Sequence, residues 1–331
     1  MKPSLLEAGL LCCPECGGEL GLEDPKVKDS EILEGKLVCG SCSQSYPILR
    51  GIPRLLPGTV PLEALQTSEG FAFEWKRFSD LLDIYEGQFL DWIAPVDRAF
   101  FRGKTVLEAG CGKGRHTDLA SRYGAAAVVA LELSSAVEVC HAHCGGRPNV
   151  HVVQGDILRP PLRKAFDYAF SVGVLHHTMD PRAAFLSLAG RVRKGGAVSI
   201  WVYGAEGNGW VTTFVNPLRK GVTSHLPRPV LLVLSWVLAL PLFLAIRLVY
   251  GPLGRSRWRS LGRFLFYFDY LSYISRFSFY DIHCLVFDHL VPELASYIRK
   301  DEVEEWFRAA GARDARIEWH NRNSWRGFSA L

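Results

Sequence analysis

Val106-Leu-Glu-Ala-Gly-Cys-Gly-Lys-Gly114, running directly into a helical pattern at Arg115, decides the fold of this 331-residue chain. The apolar pair and Glu108 read as the end of a buried strand, and the glycines let the backbone turn tightly and approach a ligand. A helix starting there offers unpaired N–H groups at its first turn. Further short, β-branched apolar runs follow at 126–131, 150–153, 166–170 and 197–202, each bounded by Gly, Pro or Asp and separated by helical patterns. That alternation predicts buried parallel strands in a doubly wound α/β sheet, whose ligand sits at the strand C-termini. A dinucleotide fingerprint requires a glycine where Arg115 stands, so the third glycine comes one residue early. Glu132, at the end of the second strand, is placed to bind ribose hydroxyls, and Asp156, in Gln154-Gly-Asp-Ile157, is placed to accept from an adenine amino group.

With 48% hydrophobic and 22% charged residues the chain can bury a core, which excludes a disordered or fibrous protein. The net charge of +4 is unevenly placed. Residues 207–268 hold eight of the 38 lysines and arginines and none of the 34 acids, leaving 30 basic against 34 acidic residues elsewhere. An acidic body with one basic insert argues against a diffuse nucleic-acid footprint and for a local anionic partner. The first residues lack the apolar run of a signal peptide, so the nine cysteines are expected in a reducing, cytoplasmic compartment. Cys13-Pro-Glu-Cys16 and Cys39-Gly-Ser-Cys42, separated by 22 residues, form a four-thiolate set suited to a closed, structural zinc site.

Val106–Gly114, Gln154–Ile157, Ser171-Val-Gly-Val-Leu-His-His-Thr-Met-Asp-Pro181 and Lys194-Gly-Gly196 together resemble the class I S-adenosylmethionine-dependent methyltransferases. The resemblance is close over residues 104–203 and looser to residue 331, where a helix (301–310) and a strand (315–320) look like the family's last elements. It implies a Rossmann-like, seven-stranded methyltransferase sheet. It also implies S-adenosylmethionine as cofactor, with Gly110 and Gly112 against the methionine portion and Glu108 near its amino group. Glu132 then falls on the ribose, Asp156 and Ile157 fall at the adenine, and Ser171 opens the loop beside the cofactor. Residues 1–58 resemble the small zinc-ribbon proteins that activate tRNA and release-factor methyltransferases, with Cys13, Cys16, Cys39 and Cys42 as zinc ligands; Cys12 is a spare thiol that either substitutes in the site or is buried.

His176 and His177, in the loop after the fourth strand, are read as the candidate base, since histidine titrates near working pH; the alternative is that they shape the loop. Asp281, His283, Asp288 and His289 line an acceptor pocket or are inert loop residues, and Phe71, Phe73, Trp75 and Phe78 are a lid over the cofactor or plain core. The uncharged stretch 230–246 is interrupted by Pro241 and flanked by basic residues on both sides, which argues against a single membrane span. It is either an interfacial helix or hairpin on an anionic leaflet, through residues 222–268, or a helical cap packed over the acceptor pocket or forming a dimer interface.

The expected organisation is a zinc ribbon (1–58), a linker with cofactor-covering helices (59–103), a methyltransferase core (104–206), a basic apolar insert (207–290) and a closing helix and strand (291–331). The expected function is a cytoplasmic methyltransferase acting on a hydrophobic small-molecule or lipid-linked acceptor at the inner membrane face. The alternatives are transfer to RNA or protein through the ribbon, and a methyltransferase-like binding protein without activity.

Overall fold

The computed structural model describes residues 1–291 and 294–331, with every side chain among them but those of Ser224 and Arg263. Pro292 and Glu293, at the start of the closing unit, and the Arg263 charge counted above therefore lie outside the described residues. The N-terminal unit supplies strands β1 (Leu20–Lys28), β2 (Glu31–Cys39), β3 (Ser45–Leu49) and β4 (Ile52–Leu55). The remainder supplies β5 (Thr105–Ala109), β6 (Ala127–Glu132), β7 (Val150–Gly155), β8 (Phe166–Val172), β9 (Val192–Tyr203), β10 (Arg316–His320) and β11 (Ser324–Ala330). The helices are α1 (Ser4–Glu7), α2 (Leu62–Arg77), α3 (Ile84–Trp92), α4 (Arg115–Arg122), α5 (Val137–Cys144) and α6 (Pro181–Ala189), then α7 (Asn216–Gly221), α8 (Arg228–Ala245), α9 (Gly251–Arg255), α10 (Phe268–Tyr273), α11 (Phe279–Leu290) and α12 (Lys300–Ala309).

The strands form one sheet in the order β1-β2-β3-β4-β7-β6-β5-β8-β9-β11-β10. From β7 to β9 all neighbours are parallel, and β11 enters antiparallel between β9 and β10. Leu107, Val129 and Val153 pack on one face while Val106, Val128 and Val152 pack on the other. Both faces are thus buried, which is why these strands read as continuous apolar runs. The five central strands occupy the runs the sequence marked out, and α4 leaves directly from the glycine loop.

The sheet has eleven strands where seven were expected. The seven of the catalytic fold are extended because β4 pairs parallel to β7, Arg54 opposite Gln154 and Leu55 opposite Gly155. Arg54 reinforces the seam, its Nη1 donating to Gln154 Oε1 at 3.1 Å and its Nη2 pairing with Glu138. Lys2 Nζ donates to the carbonyls of Gly145 and Val150, so the ribbon is sewn to the edge of the sheet at both its start and its end.

The insert also departs from expectation, because Pro241 does not interrupt it. Arg228–Arg255 is one helical rod of 28 residues in which α8 passes through a π-helical turn at Ile246–Tyr250 into α9. Proline leaves the carbonyl four residues earlier without its helical donor. Here that carbonyl belongs to Val237, on the exposed side of the rod, so no buried acceptor is stranded. The rod packs on α11, with Ser235 Oγ and His283 Nε2 2.9 Å apart and Leu232 O 3.1 Å from the same nitrogen.

Candidate cofactor and acceptor site

A cavity of about 550 Å³ opens at the C-terminal ends of the central strands. One lobe is floored by the glycine loop. Gly110 has φ +81° and Gly112 has φ +51°, and a Cβ at Gly112 would stand 2.8 Å from Trp75 Nε1. At Gly110 a Cβ would collide with Val174, so both positions keep open a cradle that any other residue would fill. Leu131, Glu132, Asp156, Ile157 and Val172 to Val174 complete this lobe.

Glu132 accepts from Gly112 N at 3.0 Å with one oxygen and from Ser134 N and Oγ at 2.9 and 2.7 Å with the other. A carboxylate takes about four donors, so it keeps room for a ligand hydroxyl. Asp156 is buried, accepts from Leu158 N at 2.9 Å, and has its pKa raised by burial. A cradle for a small ligand, an acid ending β6 and a second acid after β7 fit a nucleoside whose sugar and base need acceptors.

Two predicted cofactor residues stand elsewhere. Ser171 is fully buried between strands and donates to Ala109 O at 2.9 Å; strand alternation gives the cavity wall to Val172 instead. Glu108 is also off the wall. It accepts from the Thr117 hydroxyl and lies 3.4 Å from His116 Nδ1, beneath the loop, where burial pushes its pKa up to about 8.

The histidine pair divides. His176 does not face the cavity as expected; it is fully buried, its ring tilted against that of Tyr203 with centroids 4.0 Å apart, and held neutral by burial. His177 is on the wall. Its Nδ1 lies 2.7 Å from Leu294 O, which fixes the proton on Nδ1 and leaves the Nε2 lone pair available. Burial pushes its pKa down to about 4, with the Asp288 charge acting in the opposite direction. The second polar cluster divides likewise: Asp288 and His289 line the cavity, whereas His283 pins α11 to α8, and Asp281, although on the wall, is held in the α11 capping box with Ser278. Among the aromatics, Phe71 and Trp75 cover the cavity and Phe73 and Phe78 pack on Phe287, so the stripe is lid and core at once.

Two wall residues carry no signal in the sequence pattern. Glu74 is fully buried on α2, accepts a hydrogen bond from the Cys284 thiol at 3.2 Å, and is held protonated by burial and the nearby Asp288. Lys113 donates to Phe78 O and Asp80 O at 2.7 and 2.9 Å and is pushed down to about 8 by burial and Arg115, tying the glycine loop to the segment after α2. The second lobe belongs to the insert and its neighbours, with Tyr203, Tyr267, Tyr270 and Tyr273 among its walls and Leu242 and Ala245 of α8 at its side.

In the ribbon, the thiols of Cys13, Cys16, Cys39 and Cys42 lie within 4.8 Å of one another, with Cys13–Cys42 and Cys16–Cys39 sulfurs 3.6 and 3.5 Å apart. Tetrahedral zinc with Zn–S of about 2.3 Å spaces its sulfurs by about 3.8 Å, so the set fits a structural zinc ion. Cys12 is buried and stands outside the set.

Sheet order, glycine cradle and acidic pair define the class: a Rossmann-like domain of the S-adenosylmethionine-dependent methyltransferase type carrying a four-cysteine ribbon. Residues 107–200 match the family model for a methyltransferase domain, and residues 2–51 match that for a Trm112p-like protein. Among curated relatives, a tRNA U34 carboxymethyltransferase of Pseudoalteromonas translucida is 26% identical over 178 residues, covering 53% of this chain and 51% of the relative. The mitochondrial ubiquinone biosynthesis O-methyltransferase of Schizosaccharomyces pombe is 28% identical over 130 residues, covering 38% and 47%. The chain thus spans about half the length of these relatives. A solved complex between the Haloferax volcanii Trm112 methyltransferase activator and its putative methyltransferase aligns with TM-score 0.45 at 14% identity, over 80% of this chain and 95% of that one.

Proposed function

We propose that this protein is an S-adenosylmethionine-dependent methyltransferase whose acceptor is a small or lipid-linked apolar molecule, taken up at a membrane face. The observation that carries the reading is the single cavity joining the glycine cradle to a chamber walled by the insert's tyrosines and aliphatic side chains. A polynucleotide gains little from such a chamber, whereas an apolar ring or chain is buried in it.

Gly110 and Gly112 give the methionine part its close approach, Glu132 takes the ribose, and Asp156 with Ile157 takes the adenine. S-adenosylmethionine, when bound, supplies a methyl group already activated by its sulfonium. The chain's own contribution is alignment and proton removal. His177 Nε2 accepts the proton an acceptor hydroxyl or amine must lose, and the imidazolium so formed is stabilised by Asp288. Trp75 and Phe71 exclude water from above. Four cysteines hold zinc in the ribbon, which keeps β4 registered on β7 beside Asp156.

A second reading, transfer to RNA, is favoured by the tRNA-acting relatives and by the Trm112p-like ribbon, and the relatives back it better than they back the first. The experiment that decides is transfer of labelled methyl into the lipid, RNA and protein fractions of a host extract. Label confined to lipid-soluble products supports the first reading; label in RNA establishes the second. Absence of cofactor binding by calorimetry defeats both and leaves a binding protein.

A further inference from the structure

The exposed side of the Arg228–Arg255 rod is the least expected surface of the molecule. Val230, Val233, Val237, Leu240, Leu244 and Leu248 stand between 42% and 72% exposed. Their spacing of three and four residues places them on one stripe at about 3.6 residues per turn, and the buried Leu231, Ser235, Ala239 and Ile246 fall on the opposite stripe. A surface helix ordinarily shows water a charged face; this one shows six aliphatic side chains. Trp258, Leu261 and Phe266, each more than half exposed, continue the apolar surface past the rod. Arg247, Arg255, Arg257 and Arg259 belong to the same acid-free segment, 207 to 268, with Arg259 3.8 Å from Asp269 just beyond it. Arg257 sits 5.2 Å over the Trp258 ring, an apolar body with a cationic edge.

From this face we infer that the protein docks on an anionic lipid bilayer, the rod lying in the interface plane with its aliphatic stripe among the acyl chains and its arginines at the headgroups. This deepens the membrane-face part of the proposed function and rests on it for what passes through. The charge selects the occupant: a second copy of the chain would bring Arg255 and Arg257 against like charges at the seam, whereas anionic headgroups neutralise them. The opposite stripe fixes the orientation, because Ser235 and His283 and the α11 contacts hold the rod to the body and a spanning pose would break them. Trp210 and Phe266 are both exposed and on the cavity wall, their rings 4.7 Å apart, so the acceptor chamber opens within the same acid-free insert. An apolar acceptor dissolved in the bilayer reaches the chamber there without crossing water.

The test is sedimentation of the full-length, metal-loaded protein with phosphatidylcholine vesicles, with and without phosphatidylglycerol. The expected result is binding on the order of tenfold stronger with phosphatidylglycerol, lost in the double variant V233E/L248E and reduced to the phosphatidylcholine level in R255E/R257E. Both variants should keep the calorimetric affinity for S-adenosylmethionine, which separates lost docking from lost folding. Vesicle binding that survives V233E/L248E overturns the inference, as does absence of binding, or a dimer in solution that V233E/L248E dissolves while lipid is ignored. Methyl transfer to detergent-solubilised lipid extract is scored separately: its failure with docking intact sinks the acceptor reading alone.

Discussion

At the scale of single residues, the site is governed by what burial does to charge. His177 keeps a neutral ring because its pKa is pushed down to about 4, and its Nδ1 contact to Leu294 O aims the lone pair at the chamber. An ordinary histidine base loses activity as pH falls through about 6.5. For this protein kcat/KM should stay level down to pH 5 and fall only near 4. His177→Asn should lower transfer by about 10²–10⁴-fold at unchanged cofactor affinity, and a variant with full activity removes His177 from the chemistry. Glu108 is perturbed in the opposite direction. Its pKa rises from 4.5 to about 8 in the folded state, so the native protein holds a proton that the unfolded chain releases. The contribution is full below 4.5 and is lost as pH rises through about 8. Glu108→Gln cannot titrate, so relative to the parent it should gain on the order of 1–3 kcal/mol between pH 5 and pH 8. Denaturant midpoints at the two pH values measure this; parallel pH dependences in parent and variant would refute the burial account.

At the scale of elements, the decisive contact is the short parallel pairing of β4 with β7, which ends at Gly155, the residue before Asp156. The ribbon thereby braces the strand end to which the proposed function assigns the adenine. Arg54→Ala, which removes the bond to Gln154 and the pairing with Glu138, should weaken calorimetric cofactor binding several-fold while the ribbon keeps its metal. Stripping zinc, or Cys39→Ser, should unfold the ribbon and weaken that binding by about tenfold; metal-free protein binding with parental affinity would show that the brace is idle. The sequence carried the repeating local signals: apolar runs for β5 to β9, glycines for the cradle, acids at strand ends, and two thiol pairs at metal spacing. It did not carry contacts made across the chain. Ile52–Leu55 contains Pro53 and is too short to read as a strand until β7 offers an edge, and Trp75 comes to Gly112, Glu74 to Cys284 and His177 to Leu294 only by tertiary packing. Pro241 is accommodated for the same kind of reason, since the carbonyl it leaves without a helical donor belongs to the exposed Val237.

At the scale of the whole molecule, three parts meet around one cavity: the ribbon pairs with β7 beside it, the central sheet floors it, and the insert walls its outer chamber. The insert's size matters to the choice between acceptors, because a chamber must be filled by what it binds. Ala245, half-buried on α8, presents a methyl group to that chamber and lies far from the glycine loop in sequence. Ala245→Trp adds an aromatic ring where an apolar acceptor would lie, at a helical position that tolerates the backbone. Cofactor affinity should be retained and transfer to lipid-soluble acceptors should fall by at least about 10²-fold, since displacing the acceptor from alignment removes the proximity on which the reaction depends. An acceptor presented from outside, such as an RNA loop reaching only the mouth at Trp210 and Phe266, would be methylated by the variant nearly as well as by the parent. Labelled-methyl assays of parent and variant on matched lipid and RNA fractions therefore test the chamber itself. Retained transfer to RNA with no lipid product in either protein would give the insert to docking and leave catalysis to the mouth.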